Sequence, residues 1–231
     1  MWITQARRIN VEIGTLYIVS TPIGNLEDIT LRALRILKEV DLIAAEDTRH
    51  TKILLDKYGI RKKSISFHSY NKARRKDEIA ALLKEGKNIA LVSDAGTPGI
   101  SDPGASLIKY VLESRIPLTV IPGPTALIAA LVVSGKPTDK FAFEGFLSNK
   151  ASKRRKKLKA LKNEKRTVII YESCHRITKL LADMLEVTGD GEIAITRELT
   201  KKFEEVKREK ISVLLEYFTA NKPRGEFIVV I

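Results

Sequence analysis

Short apolar runs alternate with longer amphipathic stretches through the first half of the chain. Residues 15–20, 41–45, 65–67, 88–92 and 118–121 each read as a short strand. Ile29, Ala33, Ile36, Leu37 and Val40 recur at helical spacing between the first two, behind Asp28, which is placed to cap that helix. A second helix reaches Tyr58 and stops at Gly59, and a third spans about 72–84 and stops at Gly86. A fourth covers 105–113 with Pro103 suited to its first turn, and a small-residue helix runs to Ser134. Strands that alternate with helices and are apolar throughout predict a parallel, doubly wound sheet covered on both faces.

After Ser134 the pattern changes. Residues 141–143 predict a strand, 167–171 another ending in Glu172-Ser173-Cys174-His175-Arg176, and 193–195 a third ending in Thr196-Arg197-Glu198. Residues 206–211, a helix over about 213–219 and a last strand within 225–231 follow with connections too short for repeated crossovers, so pairing there is expected to be mixed or antiparallel. The fold expected is α/β in two domains, 12–122 and 123–231, the second with a mixed sheet. No internal repeat is visible.

One stretch exceeds what a connection requires. Residues 93–104, Ser-Asp-Ala-Gly-Thr-Pro-Gly-Ile-Ser-Asp-Pro-Gly, place three glycines, two prolines and two carboxylates between the strand at 88–92 and the helix at 105–113. An ordinary strand-to-helix turn needs one glycine and one Asp. In open α/β sheets the carboxyl end of a strand is the usual binding crevice, and glycine lets backbone amides approach a ligand.

Charge changes the picture next. The chain carries 41 Lys+Arg against 28 Asp+Glu, a net charge of +13, which calls for a polyanionic partner. Residues 150–166 hold ten basic residues against Glu164 alone, and 61–76 hold seven and no acid, interleaved with Phe67, His68 and Tyr70. Aromatics among cations suit stacking on unpaired bases as well as phosphate contact, although a charge run also serves as a plain solvated face. The single cysteine, Cys174, excludes an internal disulfide and a multi-cysteine zinc site, and His50, His68 and His175 lack metal-ligand spacing, so no metal is expected. Residues 1–10 lack the apolar core of a secretion signal, and the longest apolar run, 126–133, is too short to cross a bilayer, which predicts a cytoplasmic protein with no membrane partner.

Taken together these segments resemble a known family. Residues 16–30, Glu46-Asp47-Thr48-Arg49-His50, 93–104, Pro122-Gly123-Pro124, Phe143-Glu144-Gly145-Phe146, Tyr171-Glu172-Ser173 with His175-Arg176, and 197–201 occur in the order seen in the small-subunit ribosomal RNA methyltransferase I family of the tetrapyrrole methylase superfamily. The resemblance implies two α/β domains forming a cleft, a homodimer, S-adenosylmethionine as methyl donor, and 2'-O-methylation of a cytidine ribose in the decoding region of small-subunit ribosomal RNA, free or in the assembled subunit. Two departures stand out. Cys174 occupies a place where the family usually has proline, which is expected to loosen the turn before His175. The sequence stops at Ile231 where longer relatives continue with a basic extension, which shifts RNA affinity onto the internal basic segments.

The residues agree with that donor. The Gly-x-Gly-x-x-Gly and Gly-Lys-Ser/Thr fingerprints are absent, which disfavours a nucleotide held by its pyrophosphate. Pro22, Ile23 and Gly24, Asp94, Ala95, Gly96 and Thr97, and Pro122, Thr125 and Ala126 are the candidates for holding an adenosine and an amino acid. Polar residues at strand ends are the candidates for the reaction, chiefly Glu46, Asp47, Arg49, His50, His175 and Arg176, with His68, Glu172, Arg197 and Glu198 beside them. For each acid the alternative is a salt bridge tying loops together, Arg49 with Asp47 or Arg197 with Glu198. Two other functions stay open at this stage, a tetrapyrrole C-methyltransferase and a non-catalytic RNA-binding protein.

Overall fold

A computed structural model of the chain describes residues 12–231, so the expectation about residues 1–10 lies outside the described residues. They divide into two units: those up to Pro22 with Leu26–Pro124, and Ile23–Asn25 with Thr125–Ile231.

The first unit is built on five strands, β1 (Leu16–Val19), β2 (Leu42–Ala45), β3 (Ser64–Ser66), β4 (Ile89–Val92) and β5 (Leu118–Ile121). All its pairings are parallel, in the order β3-β2-β4-β1-β5. Alternate residues feed two apolar layers. Ile43, Ala45, Ala90 and Val92 pack with α1 (Leu31–Glu39) and α2 (Thr48–Lys57) on one face. Leu42, Ala44, Ile89 and Leu91 pack with α3 (Lys72–Lys84) and α4 (Gly104–Glu113) on the other. Every residue of β2 and β4 is buried, which accounts for their unbroken apolar sequence. Burying each Leu or Ile side chain contributes roughly 1.5–3 kcal/mol, so these layers carry the stability of the unit. Thr30, not Asp28, caps α1: its hydroxyl accepts from the Ala33 amide at 3.1 Å, and Asp28 ends a short turn of 3-10 helix before it.

The second unit has β6 (Phe141–Phe146), β7 (Thr167–Ser173), β8 (Glu192–Arg197), β9 (Glu205–Lys210) and β10 (Glu226–Val230) in the order β6-β7-β10-β8-β9. Only β6 and β7 are parallel; β10 enters between β7 and β8 antiparallel to both, and β9 is antiparallel to β8, so the sheet is mixed as expected. Helices α6 (Ala151–Leu161), α7 (Ile177–Thr188) and α8 (Ile211–Ala220) cover one face. The other face packs on α5 (Ala126–Ser134) and on Ile23. Helix α7 is absent from the strand-and-helix reading above, although Ile177, Leu180, Leu181 and Met184 bury one side of it at helical spacing. No helix among the described residues is long and apolar enough to cross a membrane.

Candidate active site

In the first sheet the chain moves one way from β1, through α1 to β2, and the other way from β4, through α4 to β5. The carboxyl ends of these neighbouring strands therefore flank a topological switch point, where loops diverge and leave a crevice. Both loops there are pinned to each other. Thr21 and Gly96 exchange backbone hydrogen bonds of 2.9 and 3.0 Å, the Ser20 and Thr97 hydroxyls meet at 2.8 Å, and the Thr21 hydroxyl donates to the Ser93 carbonyl at 3.0 Å. Gly96 has φ +79, a conformation that costs a residue with a Cβ about 1–2 kcal/mol. It is buried and bonded on both backbone sides, so it holds the loop's shape rather than marking a free turn.

Beyond Gly96 the loop is tied down by Asp102. Its Oδ1 accepts from the amides of Gly99, at 2.8 Å, and Gly104, at 2.7 Å. A Cβ at position 104 would lie 2.8 Å from that oxygen and 2.9 Å from the Gly99 nitrogen, so α4 begins at a position only glycine fills. The second carboxylate of the stretch thus shapes the loop, and Asp94 is left for the crevice.

Two acids adjacent in sequence have opposite environments. The Asp94 amide donates to Glu46 Oε2 at 3.4 Å, and Asp94 Oδ1 accepts from the Asp47 amide at 3.0 Å, which locks the loop after β4 to the loop after β2. Burial pushes the Glu46 carboxyl up; the Asp94 amide opposes the rise, while the charges of Asp94 and Asp102 add to it. Asp47 instead caps α2, accepts from the Arg49 amide at 2.8 Å and takes a two-pronged contact from the Arg49 guanidinium at 3.1 and 2.7 Å. That contact, first of all, holds the Asp47 carboxyl well below the usual range. Asp47 and Arg49 are thus a surface pair with Asp47 held ionised, whereas the Glu46 carboxyl is held up by burial. His50 lines the same crevice, with Thr21, Pro22, Leu26, Ile53 and Asp94. His68 follows β3; its Nε2 meets the Asn71 amide group at 3.2 Å, and its buried Nδ1 has no partner among the described residues.

Other candidates sit in the second unit. Ile23 is part of its apolar core, Gly24 lies against Thr200 and Lys201, and the Asn25 amide donates to the Thr200 hydroxyl at 3.1 Å. Thr125 is the cap residue of α5 and Ala126 its first residue, while Pro122 directly follows β5 in the first unit. At the end of β7, the Arg176 guanidinium donates to Glu172 at 3.1 Å and to the Leu147 carbonyl. Burial pushes the Glu172 carboxyl up, against the Ser173 amide and Arg176. The Arg176 amide closes a turn onto the Ser173 carbonyl at 3.0 Å, so Cys174 does not open the turn, and His175 projects from it into solvent. Arg197 pairs with Glu205 at 3.1 Å rather than with Glu198, which binds Lys201 at 2.9 Å. No group of three or more metal-ligating side chains occurs among the described residues.

The basic segments are partly structural. Arg154 is 5% exposed and Asp183 4%, and they meet at 2.6 Å; Arg155 also bonds Asp183 at 2.7 Å, and Lys157 pairs with Glu144 at 2.7 Å. Lys153, Lys156 and Lys159 stand on the outer side of α6, exposed and without an ion pair among the described residues. In the other segment Phe67 is 1% exposed and belongs to the core, while Tyr70 is 98% exposed with its ring edge toward His68, centroids 6.0 Å apart.

The sequence matches the family of tetrapyrrole (corrin/porphyrin) methylases over residues 15–214. The chain belongs to the tetrapyrrole methylase family. It is 51% identical over 219 residues to a ribosomal RNA small subunit methyltransferase I of Thermotoga maritima, covering 95% of this chain and 98% of the relative. It is equally identical over 220 residues to the protein of that name from Synechocystis, covering 95% of this chain and 79% of the relative. Among solved structures it is similar to the uroporphyrin-III C-methyltransferase of Thermus thermophilus, with a TM-score of 0.68 at 21% identity over 94% of each chain. A cobalt precorrin-4 methyltransferase gives 0.71 at 17% identity, also over 94% of each chain. At those identities the structures show the shared fold. The methyl donor of the tetrapyrrole methylases is S-adenosylmethionine. The donor set here suits it: a carboxylate at Asp94 with one oxygen left for a hydroxyl or cation, close backbone at Gly96, and apolar walls at Pro22 and Leu26.

Proposed function

We propose that this protein transfers the methyl group of S-adenosylmethionine to a 2'-hydroxyl of a cytidine ribose in the decoding region of small-subunit ribosomal RNA. The observation that carries the reading is the 51% identity, over nearly the whole of both chains, to a relative named as a small-subunit ribosomal RNA methyltransferase. The net charge of +13 supports an RNA substrate over a tetrapyrrole, and the exposed Tyr70 and the outer lysines of α6 supply the surfaces RNA needs.

S-adenosylmethionine, when bound, supplies an already activated methyl group. Pro22, Asp94, Gly96 and Thr97 of the first unit would hold it. The protein's task is then mostly alignment. Holding a hydroxyl in line contributes on the order of 7–11 kcal/mol, whereas a general base adds about 10²–10⁴-fold. Glu46 takes the hydroxyl proton in this reading, because burial leaves its carboxylate a better proton acceptor than Asp47. Arg49 and His50 contact the nucleotide, while in the second unit Arg176 closes the turn after β7 and pairs with Glu172. The homodimer is part of the same reading.

Transfer of labelled methyl groups to purified small ribosomal subunits, to naked small-subunit RNA and to a uroporphyrin-type tetrapyrrole tests it. Incorporation into either RNA substrate alone supports the reading. Incorporation only into the tetrapyrrole overturns it.

A further inference from the structure

In the first unit an open groove runs between α2 and the segment that enters β3. Its floor is apolar, made by Leu55 and Ile60, both buried. Its rim carries Arg49, Lys52, Arg61 and Lys62 against one acid, Asp56. Lys52 and Asp56 neutralise each other at 2.6 Å, and Arg49 shares its charge with Asp47. Arg61 and Lys62 have no ion-pair partner among the described residues, so they leave an uncompensated double positive charge on one wall. At 1.5 Å per residue, the rim from Arg49 to Asp56 along α2 is roughly 10 Å long, enough for more than one phosphate of an extended strand. Its upper end is Arg49, three residues from Glu46.

We infer that this groove is the track of a single-stranded RNA segment leading to the target nucleotide, with Arg61 and Lys62 on the phosphates and the Leu55–Ile60 floor beneath the sugars. The inference rests on the RNA substrate proposed above and adds where that RNA runs. Cationic walls over an apolar floor match a ribose-phosphate chain, which offers charge outside and carbon inside. The aromatic platform for the bases stands separately, at Tyr70, beyond the carboxyl end of β3.

The test measures binding of a fluorescent single-stranded oligoribonucleotide over a salt series. The double variant Arg61→Gln with Lys62→Gln should bind more weakly, and the slope of log affinity against log salt should fall in magnitude by about 1.4, at about 0.7 per single-strand phosphate released. The swap Arg61→Lys with Lys62→Arg keeps both charges and should keep the slope. Donor affinity and melting temperature should match the wild type in both, because neither side chain has an ion-pair partner among the described residues. A Gln variant that binds this RNA with the wild-type slope while wild type transfers methyl groups to ribosomal RNA overturns the inference and leaves the proposed function standing. Competition by a polyglutamate peptide, lost in the Gln variant while the RNA slope stays, would mean that the groove takes an acidic protein segment, and overturns it too. A wild-type protein that neither binds nor methylates RNA removes the reading and the inference together.

Discussion

The amide of Asp94 donates to the side chain of Glu46 across two neighbouring strand ends, at 3.4 Å, while the carboxylate of Asp94 turns away to accept the Asp47 amide. One residue of the glycine-rich loop thus fixes two consecutive acids and separates their chemistry. Glu46 is left half-buried among negative charges with its pKa raised; Asp47 is left at the surface, held ionised by Arg49. Acids pushed apart in this way are candidates for proton handling, and Glu46 is the one the proposed function assigns to it.

If Glu46 accepts the hydroxyl proton, turnover must fall as it is protonated. The pH–rate profile at saturating RNA and donor should show an acid limb above the ordinary carboxylate range, and Glu46→Gln should lose about 10²–10⁴-fold in turnover together with that limb. Stability should move the other way. A raised carboxyl pKa favours the protonated fold: that contribution is present below the unfolded value and lost as pH rises through the folded one. Glu46→Gln should therefore raise the melting temperature near neutral pH, with the gain vanishing below about pH 4, close to the ordinary glutamate value. A variant with normal turnover and an unmoved acid limb means that Glu46 is not the base.

The basic run on α6 should split by face. Arg154→Gln leaves Asp183 short of a buried partner and should cost about 3–5 kcal/mol of stability, read by denaturant unfolding. Changing Lys153, Lys156 and Lys159 together to Gln should leave unfolding unchanged, weaken RNA binding and flatten its salt dependence. Equal effects of the two changes on stability would refute the division.

Tyr70 is expected to stack on an unpaired base of the substrate. Tyr70→Ala should weaken RNA binding by about 1–3 kcal/mol with donor affinity unchanged, and Tyr70→Phe should restore it, since the ring and not the hydroxyl does the stacking. Weak binding in the Phe variant as well would point to the hydroxyl and against a stacking role.

Much of this was legible in the chain. Unbroken apolar runs such as 42–45 and 89–92 identify strands buried on both faces, and Gly59 and Gly86 mark helix ends through their left-handed backbone, φ +62 and +88. What sequence cannot rank is the choice between neighbours of like chemistry. Asp28 and Thr30 are both capping residues, and the register of α1 on the sheet selects Thr30. Phe67 and Tyr70 are both aromatic, but Phe67, directly after β3, turns into the core while Tyr70 lies further on in the loop and is exposed. Within 150–166 the charges look alike; Arg154 is singled out by Asp183, 29 positions later on a different helix. Likewise the split between Glu46 and Asp47 depends on Asp94, 48 positions after Glu46, so the acids could be named from the strand end but their roles could not.

Mapping ribose methylation on small-subunit ribosomal RNA from cells lacking this protein, and from the same cells supplied with wild type or Glu46→Gln, tests the central claim most directly. The account predicts one cytidine 2'-O-methyl group in the decoding region that is missing without the protein, returns with wild type and stays far below it with Glu46→Gln. An RNA whose ribose methyl groups are the same in all these cells would contradict it.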